Sequence, residues 1–327
     1  MYMKEKIKVF VLILVLGAAC PNLLLTVVSR REAMKHDTGT PSQVSESTVA
    51  QPAAITFSVL DKTGVVRQLS EDEYLTAVVL CEMPAEFEQE ALKAQAVVAR
   101  TYALRRQICG GKHPTASVCM ESSCCQGYKS TEEYLSEGGK MEDVDKIESA
   151  VKETKNMVLT YNGELIEATY FSCSGGYTED AQAVWGADIP YLRATPSPGE
   201  EGALRYTDMV TFSTTEFAKK LGCDIPAGPV AWVENAVHTK GGGVESIRLC
   251  GKNFSGTTVR QLLGLRSTAF TITVLGDSVT ITTKGFGHRV GMSQYGADAM
   301  AALGSDYKEI LMHYYQDVQL QQYMPAD

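Results

Sequence analysis

Three groups of residues in this chain have the types and spacing to do chemistry. The first centres on Glu82, in Cys81-Glu82-Met83-Pro84 after the apolar run Tyr74–Leu80. A carboxyl partly withdrawn from water keeps its proton to higher pH and can donate it near neutrality. A solvated loop glutamate or a helix-capping charge would explain the same residue equally well. The second group is Cys109, Cys119, Cys124 and Cys125 with His113, all within residues 109–128. Such clustering means a metal or a disulfide. His113, Cys119 and Cys125, at equal spacing, supply soft and borderline ligands for a tetrahedral, structural zinc, with Cys124 in reserve because adjacent side chains point apart. The third group is two glycine-rich stretches, Ser172–Thr178 and Gly285–Gly296. The first lacks the Gly-x-Ser-x-Gly of a nucleophile elbow, so no serine hydrolase is implied. It offers the hydroxyls of Ser174 and Tyr177 and glycines that let backbone approach a sugar, or else it is a plain tight turn. The second stretch does not fit Gly-x-Gly-x-x-Gly, so no dinucleotide or other organic cofactor is expected. It presents His288, Ser293, Gln294 and Tyr295, hydrogen-bonding groups suited to sugar hydroxyls. Trp185 is a candidate stacking surface or core residue. No His-Glu-x-x-His is present, which argues against a zinc peptidase.

The elements that would carry these groups read as α+β, a domain of short strands around a buried helix. Pro84 suits the first turn of a helix, Glu86, Glu88 and Glu90 its positive end, and Arg100, Arg105 and Arg106 its negative end. Its middle is small or apolar on most faces, so the helix is enclosed and Glu82 sits at its mouth. Residues 55–70 alternate around a Lys-Thr-Gly turn, as a hairpin does. A second hairpin spans Met157–Phe171 around Asn162-Gly163, whose residue types supply positive φ. Val144–Lys155 and Asp306–Tyr315 have helical spacing, and Val244–Cys250 and Phe270–Thr283 are strand candidates.

The chain has 327 residues, 44% hydrophobic and 21% charged, with a net charge of -9. That acidic balance, with no basic stripe, argues against nucleic acid as partner. Lys4, Lys6 and Lys8 precede an uncharged run from Val9 to Ser29, long enough to span a bilayer. Residues 1–30 are therefore expected to form an uncleaved membrane anchor with its N-terminus in the cytoplasm. Residues 31–54, polar and without periodicity, read as a flexible tether, and 55–327 as one extracytoplasmic domain.

Three blocks carry a resemblance: Glu73–Leu104 around Cys-Glu-Met-Pro, Tyr170–Leu192 around Ser-Cys-Ser-Gly-Gly-Tyr, and Gly285–Tyr315 around Gly-His-Arg-Val-Gly-Met-Ser-Gln-Tyr-Gly. In that order they resemble the stage II sporulation protein D family of lytic transglycosylases, related to amidase-enhancer domains. The resemblance implies a membrane-anchored enzyme of spore-forming bacteria that cleaves peptidoglycan glycan strands stripped of stem peptides during forespore engulfment. It implies that Glu82 is catalytic, that the second and third blocks line the glycan cleft, and that the loop ending in Cys-Gln-x-Tyr is of a kind found in many members. It also implies a place in the mother-cell membrane at the engulfing septum, beside the amidase and endopeptidase called stage II sporulation protein P. This chain departs from the family in having Arg289 where glycine usually follows the histidine, and Cys124 where histidine is common. If that position needs positive φ, arginine strains the loop.

One acid is enough for such a reaction. Most glycosidases use two carboxyls, one to protonate the leaving oxygen and one to activate water or attack the anomeric carbon. In the transglycosylase the 6-hydroxyl of N-acetylmuramic acid is the nucleophile, and a single glutamate acts first as acid and then as base. The alternative is a non-catalytic glycan-binding or amidase-enhancing module.

Overall fold

A computed structural model describes residues 55–225 and 232–324. The expected anchor and tether, residues 1–54, lie outside them; among the described residues no helix is long and apolar enough to cross a membrane.

The chain opens with the expected hairpin, β1 (Thr56–Leu60) and β2 (Val66–Ser70), antiparallel across a turn at Asp61–Val65. Asp61 shapes that turn by accepting from the N–H groups of Thr63 and Val65. Ser70 then caps α1 (Glu71–Glu82), its hydroxyl accepting from the Glu73 N–H. Helix α2 (Gln89–Cys109) follows, and every residue from Ala91 to Leu104 except Lys93 is buried. After β3 (Val118–Cys119), which pairs in parallel with β1, come α3 (Thr131–Ser136) and α4 (Met141–Glu153). Next are β4 (Met157–Tyr161), β5 (Glu164–Leu165), β6 (Tyr170–Phe171) and α5 (Ala181–Trp185).

A second group of elements is inserted here: β7 (Thr207–Ser213), α6 (Thr214–Leu221), β8 (Val233–His238), β9 (Val244–Leu249), β10 (Lys252–Ser255), α7 (Gly256–Leu263), β11 (Ala269–Leu275) and β12 (Ser278–Lys284). The chain returns through β13 (Met292–Ser293), α8 (Gln294–Ala302), α9 (Tyr307–Tyr314) and β14 (Gln319–Gln322). The inserted sheets, β11-β12-β7 and β10-β9-β8, cover a small core of Phe217, Trp232, Leu249, Val259 and Ile281. The larger core surrounds α2 and takes in α1, α4, β4 and α9.

Arg100 ties the larger core together. It is fully buried, paired with Glu71 at the start of α1, and donates to the carbonyls of Val151 on α4 and Met157 on β4. These contacts satisfy a guanidinium that would be costly to bury alone.

Three expectations need correction. Pro84 does not open the enclosed helix; α2 begins at Gln89, and Pro84–Phe87 form a turn closed by the Phe87 N–H on the Pro84 carbonyl. Glu82 instead ends a helix, because the apolar run before it is itself helical. Met83, preceding proline, is held extended at φ -124, ψ 143 and stops α1 there. The second hairpin has the expected turn, with Asn162 at φ 51 and Gly163 at φ 83, but its return strand ends at Leu165. Tyr170–Phe171 pairs elsewhere, in parallel with β13. Phe270–Thr283 is a hairpin, β11 and β12, rather than one strand.

Candidate active site

Glu82 sits at the C-terminal end of α1, where unpaired carbonyls carry partial negative charge. The Gly127 N–H donates to Oε1 at 2.5 Å, and the Tyr170 hydroxyl lies near enough to favour the carboxylate. Burial raises its pKa above the ordinary carboxylate range, and the Gly127 and Tyr170 hydrogen bonds pull it part of the way back. Glu82 therefore holds a proton longer than a solvated glutamate, and two donors face the carboxylate once the proton leaves. Gly127 is glycine for a steric reason, since a Cβ there would lie 2.9 Å from Glu82 Oε1 and 2.8 Å from Cys81 Sγ.

Behind Tyr170 runs a buried polar chain. Gln126 Nε2 donates to the Tyr170 hydroxyl oxygen at 3.3 Å, and the Tyr74 hydroxyl donates to Gln126 Oε1 at 3.0 Å. Burial and the neighbouring Glu82 charge keep Tyr170 protonated far above neutral pH.

The third motif holds Tyr170 in place. Its β13 pairs Met292 with Tyr170 and Ser293 with Phe171. His288 accepts the Val290 N–H on Nδ1 at 3.1 Å, and the Tyr170 backbone lies beside its ring. Its ring packs between Trp185 and Phe171, at 5.3 and 5.7 Å. Burial, helped by the charge of Arg260, lowers its pKa to about 4, so it stays neutral. His288 thus sits buried beside the strand that carries Tyr170, with Nδ1 engaged by the backbone.

Ser174 is likewise turned inward. It is fully buried, and Glu200 Oε2 accepts from its hydroxyl at 2.8 Å, from its N–H at 2.8 Å and from the Gly175 N–H at 3.0 Å. The other oxygen of Glu200 accepts from Ser197 and Ser293, each at 2.6 Å. Donors from both motifs meet on this one buried carboxyl, which pins the second motif to the third. The motif glycines serve the same contact: a Cβ on Gly175 would lie 2.8 Å from the Gly285 nitrogen, so backbone approaches backbone there and not a sugar. Gln294 is buried, with Nε2 3.5 Å from Gln95 Oε1 on α2. Tyr177 is exposed, and Tyr295 packs edge-on against Phe87 at 5.0 Å, beside the turn that follows Glu82. Trp185 is 40% exposed next to His288, so one side remains open to a ligand.

Arg289 does adopt the left-handed conformation, at φ 66. Its guanidinium is buried and pairs with Glu179 at 3.2 Å, and it donates to the carbonyls of Ser174, Tyr177 and Gly241. Gly241 lies in the β8–β9 turn, so Arg289 joins the motif loops to the inserted elements.

The thiol cluster has four members. Ligand atoms of His113, Cys119, Cys124 and Cys125 lie within 4.8 Å of one another. His113 Nε2 is 3.5 Å from Cys124 Sγ and 3.6 Å from Cys125 Sγ, and the two sulfurs are 3.9 Å apart. A tetrahedral zinc with bonds of about 2.3 Å has edges of about 3.8 Å, so the donor set fits that ion. Cys124, expected to stand in reserve, is brought alongside the other three, because the bend at Glu121–Cys125 lets neighbouring side chains converge. Cys109 does not belong to the group.

A family model described as Stage II sporulation protein (SpoIID) matches residues 60–161, which include Glu82, the thiol cluster and Gly127. Stage II sporulation protein D of Bacillus amyloliquefaciens is 41% identical over 259 residues, 78% of this chain and 75% of that protein. The chain belongs to the stage II sporulation protein D family. The Bacillus subtilis (strain 168) member is 40% identical over the same shares of both chains. A further relative, the Amidase enhancer of Bacillus subtilis, is 30% identical over 305 residues, 76% of this chain and 40% of that protein. The family's sporulation role and the mixed α+β fold thus stand together. The residues that face Glu82 were not foreseen. Gln126 and Gly127 follow the thiol cluster directly, and Tyr170 opens the second block, but nothing in local spacing marks them as its partners.

Proposed function

We propose that this chain is a peptidoglycan lytic transglycosylase acting on denuded glycan strands during engulfment, with Glu82 as general acid and then base. Glu82 gives its proton to the oxygen of the departing N-acetylglucosamine as the glycosidic bond breaks. The Gly127 N–H and the Tyr170 hydroxyl receive the resulting carboxylate. That carboxylate removes the proton of the muramic 6-hydroxyl as its oxygen bonds to the anomeric carbon, giving a 1,6-anhydro end and restoring the acid. The observation that carries the reading is a largely buried carboxyl with raised pKa that the Gly127 N–H meets directly. Tyr177 and Tyr295, the candidate sugar-contacting residues left accessible or beside the Glu82 turn, would meet the glycan.

His113, Cys119, Cys124 and Cys125 would hold a structural zinc. All four positions would be filled by protein, so its contribution is a crosslink that fixes the loop bearing Gln126 and Gly127. Residues 1–30 would anchor the chain, N-terminus inside, in the mother-cell membrane, with the stage II sporulation protein P amidase and endopeptidase supplying peptide-free strands. The test is digestion of peptide-free glycan. Wild type cleaves it, and Glu82→Gln loses about 10²–10⁴ of the rate; equal rates would refute the assignment.

The second reading, an amidase-enhancing module, is favoured by the similarity to the Amidase enhancer. It predicts that Glu82→Gln leaves stimulation of an amidase intact and that wild type leaves strands uncut.

A further inference from the structure

We infer that Arg205 and Arg266, gathered on the ring of Phe286, form a site for the free lactyl carboxylate of muramic residues. The site lets the chain tell peptide-free glycan from glycan that still bears stem peptides. The inference deepens the proposed function by naming how its substrate class is read, and it rests on the glycan as partner, not on cleavage.

The sheet topology builds the site. Strand β12 runs antiparallel to both β7 and β11, with Lys284 opposite Thr207 and Ala269. The end of β12 therefore meets the starts of its two neighbours. Residues just beyond these ends collect there: Phe286 after β12, Arg205 before β7 and Arg266 before β11. Backbone bonds fix them. The Gly285 N–H donates to the Tyr206 carbonyl at 2.8 Å, the Gly287 N–H donates to the Arg266 carbonyl at 3.0 Å, and Phe286 exchanges bonds with Cys173. Gly285 and Gly287 hold φ of 77 and 114, a course that side chains resist. The guanidinium carbons of Arg205 and Arg266 lie 4.7 and 5.8 Å from the centroid of the Phe286 ring. An aromatic face orients a guanidinium and leaves its N–H edges for acceptors.

The two arginines differ in what they already hold. Arg266 Nη2 is 3.1 Å from Asp208 Oδ1. Arg205 is exposed, stacks on the ring and makes no ion pair or hydrogen bond among the described residues. Glu201, four residues earlier and also exposed, does not pair with it. Exposed Lys284 adds a further cation at the same sheet end. In a chain of net charge -9, this corner therefore offers a planar carboxylate an unclaimed arginine fork. The corner also adjoins the candidate glycan face. A Cβ on Gly176 would lie 3.7 Å from the hydroxyl of Tyr206, beside exposed Tyr177. His288, which packs on half-open Trp185, is two residues from Phe286.

The ligand follows from the chemistry of the strand. Once its stem peptide is removed, each N-acetylmuramic acid carries a lactyl group ending in a carboxylate; with the peptide attached, that group is a neutral amide. N-acetylglucosamine has neither, so the contact would recur at alternate sugars. An arginine fork gains charge-assisted bonds from the carboxylate and loses them with the amide.

The experiment measures binding of the full-length Glu82→Gln protein to peptide-free glycan and to the same glycan with its lactyl carboxyls converted to methyl amides. The free-acid strands are expected to bind about three- to tenfold more tightly, a difference that shrinks as salt rises. Adding Arg205→Gln should make the two strands bind alike at an unchanged melting temperature, since Arg205 holds no bond within the fold. Arg205→Lys, which keeps the charge without the fork, should keep part of the preference. Full preference in a folded Arg205→Gln protein, or no preference in its parent, overturns the inference. Binding to poly-glutamate without preference between the glycans would reassign the corner to an acidic protein partner and overturn it as well. A wild type that cuts no glycan refutes the transglycosylase reading, and the binding comparison still decides this one.

Discussion

Glu82 is asked to change charge twice in each turnover, and its surroundings suit both states. Burial and the negative end of α1 favour the acid, while the Gly127 N–H and the Tyr170 hydroxyl limit the cost of the base. His288 acts at the same scale without touching that carboxyl. Its pKa is about 4 in the fold, against about 6.5 in an unfolded chain. Between those values the unfolded chain binds the extra proton, so stability is complete above about pH 6.5 and declines as pH falls toward 4. Chemical denaturation at pH 7 and pH 4.5 should show a loss in wild type, of at most about 3 kcal/mol from this group, that is smaller in His288→Gln. A loss of the same size in both proteins would show that His288 is not the group responsible.

At the scale of elements, Arg289 exchanges backbone strain for a bridge between two loops. Left-handed φ at a non-glycine residue costs about 1–3 kcal/mol, whereas a buried carboxylate without its cation costs about 3–5. Arg289→Gly should relieve the strain, leave Glu179 unpaired and lose up to about 4 kcal/mol of stability to urea. Adding Glu179→Gln should restore part of that loss, and simple additivity of the two changes would argue against the pairing. The elements also show what a single sequence makes legible. Asn162-Gly163, the Lys-Thr-Gly turn and the Asp306 cap announce themselves through local conformational demands. Helix α1 does not, because Tyr74–Leu80 are all buried and show no polar face. Pro84 then looks like the start of the next helix, although proline equally ends the one before it. Ser174 and His288 have the polar groups a sugar site needs, but Glu200 and the Tyr170 backbone meet them first. Those partners lie 26 and 118 residues away, at a distance that spacing rules do not reach.

For the whole molecule, the thiol cluster and the glutamate are parts of one arrangement, since the loop carrying the four ligand residues continues directly into Gln126 and Gly127. Metal analysis of purified protein should find about one zinc per chain, and His113→Ala or Cys119→Ser should lose it together with several degrees of thermal stability. Metal-free protein with a disulfide mapped among these cysteines would refute that site. The most direct measurement is mass analysis of the ends formed when the protein digests peptide-free glycan. Cleavage by Glu82 predicts 1,6-anhydro-N-acetylmuramic ends, absent with Glu82→Gln; reducing ends, or intact strands, would contradict it.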